Sequence, residues 1–145
     1  MGESLCQDLG FLTARAHRAF KQWLAPRLEP FGISHEQFAL LTCLWAEEGI
    51  SQTELATRAY VDQTSLTRML QRMEESDLIC RREDPEDQRV NLVHLTPLAR
   101  DLEEQIMPLR RQGLQQAVAG LADQEVDALH RMLERVFRNL STEEA

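Results

Sequence analysis

The chain carries a single lysine, Lys21, and a single tyrosine, Tyr60. With one lysine, a broad lysine grip on a polyanion is excluded, and phosphate contacts fall to arginine and backbone N–H groups. Cysteine is scarce and odd in number. Cys6, Cys43 and Cys80 lie far apart, and no two have metal-ligand spacing. This excludes a disulfide scaffold and fits a reduced compartment. No apolar run approaches the roughly 18 residues that a membrane span needs, and the first residues lack the basic-then-apolar pattern of a signal peptide. The expected location is the cytoplasm, with no membrane partner. The four histidines (His17, His35, His94 and His130) are scattered, without His-x-x-x-His spacing or an adjacent cysteine. There is no phosphate loop and no nucleophile cluster. No enzymatic activity, metal or cofactor is therefore expected.

What is present is enough for one domain. The 145 residues, 43% hydrophobic and 28% charged, can bury a core. The formal net charge of −8 opposes a nucleic-acid partner. Its distribution does not. Between Gln63 and Met73 there is no acid, while Arg68 and Arg72 are present. A basic hairpin region follows with Arg81, Arg82 and Arg89, mixed with Glu83, Asp84, Glu86 and Asp87. Most other acids fall in the first 50 and last 45 residues. The pattern is a locally basic head on an acidic body.

Three helix starts share one signature, a polar N-cap flanked by apolar residues just before it and four positions after it. Ser34 has Ile33 and Phe38 as this staple, with Gln37 three residues on. Ser51 has Ile50 and Leu55, with Glu54 three residues on. Asp62 has Val61 and Leu66. These predict helices over about 35–47, 52–59 and 63–76. Upstream, Leu9, Leu12, Ala16, Ala19, Phe20, Trp23 and Leu24 follow a helical rhythm over about 4–28, with Pro26 and Pro30 limiting its end. Downstream, residues 78–83 and 90–95 read as a hairpin around a six-residue turn. Thr96-Pro97 then opens a helix to about Gly120, with a kink or break expected near Met107 because Pro108 cannot donate. A last helix, about 123–140, carries Val126, Leu129, Met132, Leu133, Val136, Phe137 and Leu140.

Two short helices joined by a tight turn over residues 60–62, followed by a hairpin, make a winged helix-turn-helix, which sets one helix into a DNA groove. On helix 63–76, Leu66, Met69, Leu70 and Met73 share one face. Opposite lie Thr64, Arg68 and Gln71, with Ser65, Thr67 and Arg72 on the shoulders; Gln63 opens the same helix. Arginine suits guanine, glutamine suits adenine, and threonine offers a hydroxyl and a methyl. Taken alone, such a face is more often a solvated surface; the flanking helix and hairpin favour the reading face. The start of the preceding helix, Ser51, Gln52 and Thr53, can offer N–H groups to a phosphate, provided Glu54 faces its own cap. Arg89 near the hairpin tip can enter a minor groove, with Asp87 bracing the loop.

These residues resemble the MarR family of bacterial transcription regulators over nearly the whole chain. The wing run Asp84-Pro85-Glu86-Asp87-Gln88-Arg89, with Leu95-Thr96 six residues later, is similar to the family's Asp-x-Arg wing motif and Leu-Thr helix start. Ser51-Gln52-Thr53-Glu54-Leu55-Ala56 resembles its first motif helix, and Thr64-Ser65-Leu66-Thr67-Arg68 its recognition helix. The Leu70-x-x-Met73-Glu74-x-x-x-Leu78-Ile79 run resembles the exit into the hairpin. The resemblance implies a mainly α fold: a winged helix-turn-helix over 34–96 with a two-stranded β wing, and a dimerisation platform from helices in 1–30 and 97–145. It implies a homodimer on a pseudo-palindromic double-stranded operator, most commonly a repressor, released by a small molecule such as an aromatic or phenolic effector. It also implies Arg89 as the wing-tip contact and Asp87 as its stabiliser. The apolar stripes of the first and last helices favour dimerisation independently.

Two other readings stay open. Some relatives sense oxidants through a cysteine near the start of the first helix, where Cys6 lies; its nearest charges, Glu3 and Asp8, do not favour a thiolate. Cys43 falls on the apolar rhythm of its helix and reads as a small hydrophobe. The acidity favours a protein-interaction module that reuses the winged-helix scaffold without DNA.

Overall fold

The computed structural model describes residues 8–141. Asp8 accepts a hydrogen bond from the Gly10 N–H and so starts helix α1, Leu9–Leu28. The helix thus begins later than the apolar rhythm predicts, because Asp8 is extended, and it absorbs Pro26 rather than stopping there. Proline in a last turn forfeits one hydrogen bond without ending the ladder. A 3₁₀ turn, Glu29–Phe31, and Gly32 in the left-handed region lead to α2, His35–Ala46. The Ser34 hydroxyl accepts from the Gln37 N–H, and the Gln37 side chain accepts from the Ser34 N–H, both at 3.1 Å.

Next come α3, Gln52–Ala59, and α4, Gln63–Glu75, capped by Ser51 and Asp62 as expected. The wing strands are β2, Ile79–Asp84, and β3, Asp87–Leu95. The turn between them is two residues, not six, and Asp84 pairs with Asp87 beyond an irregularity at Glu83. Aspartate side chains allow this: Asp84 accepts from the Glu86 N–H at 2.9 Å, and Asp87 from the Arg89 N–H at 3.1 Å. A third, unexpected strand, β1 (Ile50–Ser51), pairs antiparallel with β3. Two residues carry too little alternation to announce a strand.

Helix α5, Pro97–Ala117, runs through Pro108 and Gly113 as one continuous helix, so the expected break does not occur. Gly113 has a packing role: a Cβ there would lie 2.7 Å from the Trp23 ring. That indole donates to Gln116 Oε1 at 3.1 Å, joining α1 to α5. Gly120, also left-handed, turns the chain into α6, Asp123–Leu140.

The core gathers Leu28, Leu40, Leu41, Leu44, Leu55, Leu66, Leu70, Met73, Ile79, Val93 and Ile106, all essentially inaccessible. Each such side chain contributes about 1.5–3 kcal/mol by leaving water. The core stops abruptly along the long helices. In α1 only Leu24 and Leu28 are buried, in α5 only Ala99, Leu102 and Ile106, and in α6 none. No described helix is long and apolar enough to cross a membrane.

Candidate nucleic-acid interface

Helix α4 is held by its inward face. Leu66, Leu70 and Met73 are buried and Met69 half-buried, so the opposite face must point to solvent. Gln63, Thr64, Ser65, Thr67, Arg68, Gln71 and Arg72 are all exposed there. Among the described residues, neither Arg68 nor Arg72 is engaged in an ion pair. The Thr67 hydroxyl donates to the Gln63 carbonyl at 2.9 Å. Asp62 accepts from the Ser65 N–H at 3.0 Å. Hydrogen bonding from Ser65 holds the Asp62 carboxyl below its ordinary range, so the cap stays ionised.

Ser51 caps α3, and Gln52 and Thr53 are its first two residues. Ser51 spends its hydroxyl on the Glu54 N–H at 3.1 Å, and Thr53 is exposed. The Glu54 side chain does not return to its own cap. It binds Arg58 at 2.6 Å, and Arg58 also binds Glu47 at 2.7 Å. The arginine one turn on takes the carboxylate as an i,i+4 ion pair instead.

The wing presents Arg89, whose side chain is 89% exposed. Its Nε and one terminal nitrogen donate to the two Asp87 carboxylate oxygens at 3.0 and 3.1 Å. Arg89 beside it holds the Asp87 carboxyl below its ordinary value, and the same contact raises the guanidinium. Asp87 is thus both the ion-pair partner of the Arg89 side chain and the acceptor from its backbone N–H. At the wing base, Arg81 donates to Glu74 at 2.9 Å, tying β2 to α4. Arg82, counted in sequence only among the charges of the hairpin, is exposed and outside any ion pair among the described residues.

The cysteines divide differently. Cys6 lies outside the described residues. Cys43 is half-buried, and burial pushes its thiol pKa up, which suits an inert hydrophobe. Trp45 and Phe38 pack at the core, with Trp45 donating to the Ala99 carbonyl at 2.9 Å. His17 meets the His35 ring edge-on, with centroids 5.8 Å apart.

The family model "MarR family" matches residues 33–90, the span from the α2 cap to the wing. An uncharacterized HTH-type transcriptional regulator of Bacillus subtilis, YdgJ, is 32% identical over 79% of this chain and 70% of its own. The HTH-type transcriptional repressor IacR of Pseudomonas putida is 30% identical over 89% of this chain and 77% of its own. The chain belongs to the MarR family. Among solved structures, a mutant MarR from E. coli complexed with operator DNA superposes with a TM-score of 0.84 at 29% identity, covering 92% of this chain and 99% of that one. MarR-family proteins are transcriptional regulators and not enzymes, and the winged-helix fold described above is theirs. The matched span contains every residue predicted here to face DNA, from Ser51 to Arg89.

Proposed function

We propose that this MarR-family protein is a cytoplasmic, sequence-specific repressor that binds a pseudo-palindromic operator as a homodimer and leaves it on binding a small aromatic or phenolic effector. The observation that carries the reading is the outer face of α4, where Arg68 and Arg72 lie free of ion pairs among the described residues, beside Thr64 and Gln71 and next to a wing that ends in a braced Arg89. Arg68 and Gln71 meet base edges, Thr64 and Thr67 add methyl and hydroxyl contacts, and Gln63, Ser65 and Arg72 serve the flanking backbone. Ser51, Gln52 and Thr53 turn the N-terminus of α3 toward a phosphate. The relative bound to operator DNA supports the docking.

Residues 34–96 form the reading lobe, and helices within 1–30 and 97–145 form the dimer platform. Leu9, Phe11, Leu12, Leu129, Met132, Leu133 and Phe137 are 39–58% exposed in the single chain. Apolar surface on this scale calls for a partner, and a second copy supplies a matching one. Two recognition helices then stand about 34 Å apart, one DNA turn. The effector reading is supported by a cleft between α1, α2 and α5, lined by Phe20, Trp23, Leu24, His35, Phe38 and Arg110.

Selection of bound fragments from random duplex DNA tests the reading. The expected product is an inverted repeat with half-sites about one turn apart. Recovery of no duplex even at low ionic strength overturns it and leaves the protein-interaction module.

A further inference from the structure

Tyr60 ends α3 in the left-handed region, at φ 55° and ψ 45°. There an L side chain crowds the neighbouring carbonyl oxygen, which is why glycine is usual at a helix end of this shape. Burial does not compensate, since Tyr60 is 75% exposed. Its ring does have one partner far along the chain. Phe137 of α6 meets it edge-to-face, with centroids 4.9 Å apart and planes at 63°.

The path of α6 makes this contact informative. The helix leaves the Gly120 turn and runs 18 residues, about 27 Å, with no residue buried in its own chain. Its end reaches the turn of the helix-turn-helix. Phe137, Leu140 and Ser141 face Tyr60, Val61, Asp62 and Gln63 across one crevice. Asp62 caps α4 and Gln63 is its first residue. The C-terminal helix thus stands against the entry of the recognition helix, through a tyrosine whose backbone conformation is otherwise unfavourable.

We infer that Tyr60 is a positioning residue for DNA binding: Phe137 clasps its ring, and the pair ties the setting of α6 to the setting of the α4 entry. A shift of α6 relative to the head then moves the cap at Asp62 and the residues after it, so the state of the platform reaches the reading face without passing through the core. The inference rests on the DNA-binding reading for its affinity measurement, and it has a second measurement that does not.

The test uses the full chain and the variants Tyr60→Gly, Phe137→Ala, their combination, and Tyr60→Phe. An edge-to-face pair of this kind is worth about two- to tenfold in an equilibrium constant, which sets the upper bound on the expected loss in operator affinity. Tyr60→Gly relieves the left-handed backbone, so its thermal midpoint stays level or rises while affinity falls; a merely structural tyrosine would not separate the two. Phe137→Ala shows a similar loss, the double variant loses no more than the larger single loss, and Tyr60→Phe matches the wild type. Amide exchange at Val61 and Ser65 quickens in Phe137→Ala without any DNA present. Wild-type affinity in Tyr60→Gly, or losses that simply add in the double variant, overturn the inference. If the wild type binds no duplex, the proposed function fails alone, and unchanged exchange at Val61 and Ser65 in both Tyr60→Gly and Phe137→Ala overturns the coupling. Should Phe137→Ala alter the assembly seen by sedimentation, Tyr60→Gly decides by itself.

Discussion

Arg89 stands almost wholly in solvent, yet one carboxylate holds two of its nitrogens and its backbone N–H. The pair is exposed, so it adds little to stability. Its effect is to fix a long side chain in one direction, which in the proposed DNA complex would lower the ordering cost of binding. Arg89→Ala is expected to weaken binding to every duplex alike and to lower the slope of log affinity against log salt by about one unit, measured by titration at several salt concentrations. Arg68 differs, because it lies on the exposed face near the middle of α4, where the proposed reading sets it against base edges. Arg68→Ala should cost about 1–3 kcal/mol on the operator and relax preference at one base pair, read by competition with single-base operator variants. Unchanged operator affinity in both variants would remove the assignment of the reading face.

Among the elements, the junction of α4, the wing and α5 rests on Thr96, the one buried polar side chain in the described core. Its hydroxyl donates to the Asp77 carbonyl at 2.6 Å and accepts from the Ala99 N–H at 3.2 Å. One atom therefore caps α5 and holds the exit of α4, where Asp77 is itself left-handed at φ 58°. Thr96→Val keeps the shape and strands both backbone groups, so a loss of about 1–3 kcal/mol is expected in urea unfolding. The contact of α1 with α5 depends on Gly113. In an open helix Gly→Ala stabilises by about 1 kcal/mol. Here the added methyl meets a Trp23 ring pinned by Gln116 and covered by the Arg27 guanidinium at 3.7 Å. Gly113→Ala should therefore lower the thermal midpoint and change the tryptophan fluorescence; a raised midpoint with unchanged emission would contradict this packing.

Across the whole molecule, the proposed dimer would cover apolar residues left bare on α1 and α6. Leu133→Glu, on the outer face of α6, is expected to shift the sedimentation profile from dimer toward monomer. Acid response is also a property of the whole fold. Burial, opposed by Glu36 and reinforced by His17 and Lys21, holds His35 below its ordinary value of 6.5. The unfolded chain then takes up the proton first. Stability is full above about pH 6.5 and falls as pH drops from there toward the folded value. His35→Gln should flatten this part of the profile in urea unfolding between pH 7.5 and 5. Glu36 and Glu48 are held below their ordinary range by Lys21 and Arg100, so their contribution is lost only at lower pH, below about 4.5, and persists in the variant.

Local chemistry was enough to place most elements. The caps at Ser34, Ser51, Asp62 and Thr96 act on N–H groups within three residues, so α2, α3, α4 and α5 start where the sequence predicts. The same periodicity sorted Leu66, Leu70 and Met73 inward and Arg68 outward. What depended on distant partners was not readable. The pairing of Ile50–Ser51 with β3, the fit of Gly113 under Trp23, and the Tyr60–Phe137 clasp all join groups whose meeting needs the folded chain. The sequence by itself determined a winged helix with a basic outer face, because capping and amphipathic period are short-range. Only the tertiary structure decided which charges remain free and which helices are left bare, because those follow from packing between segments far apart along the chain.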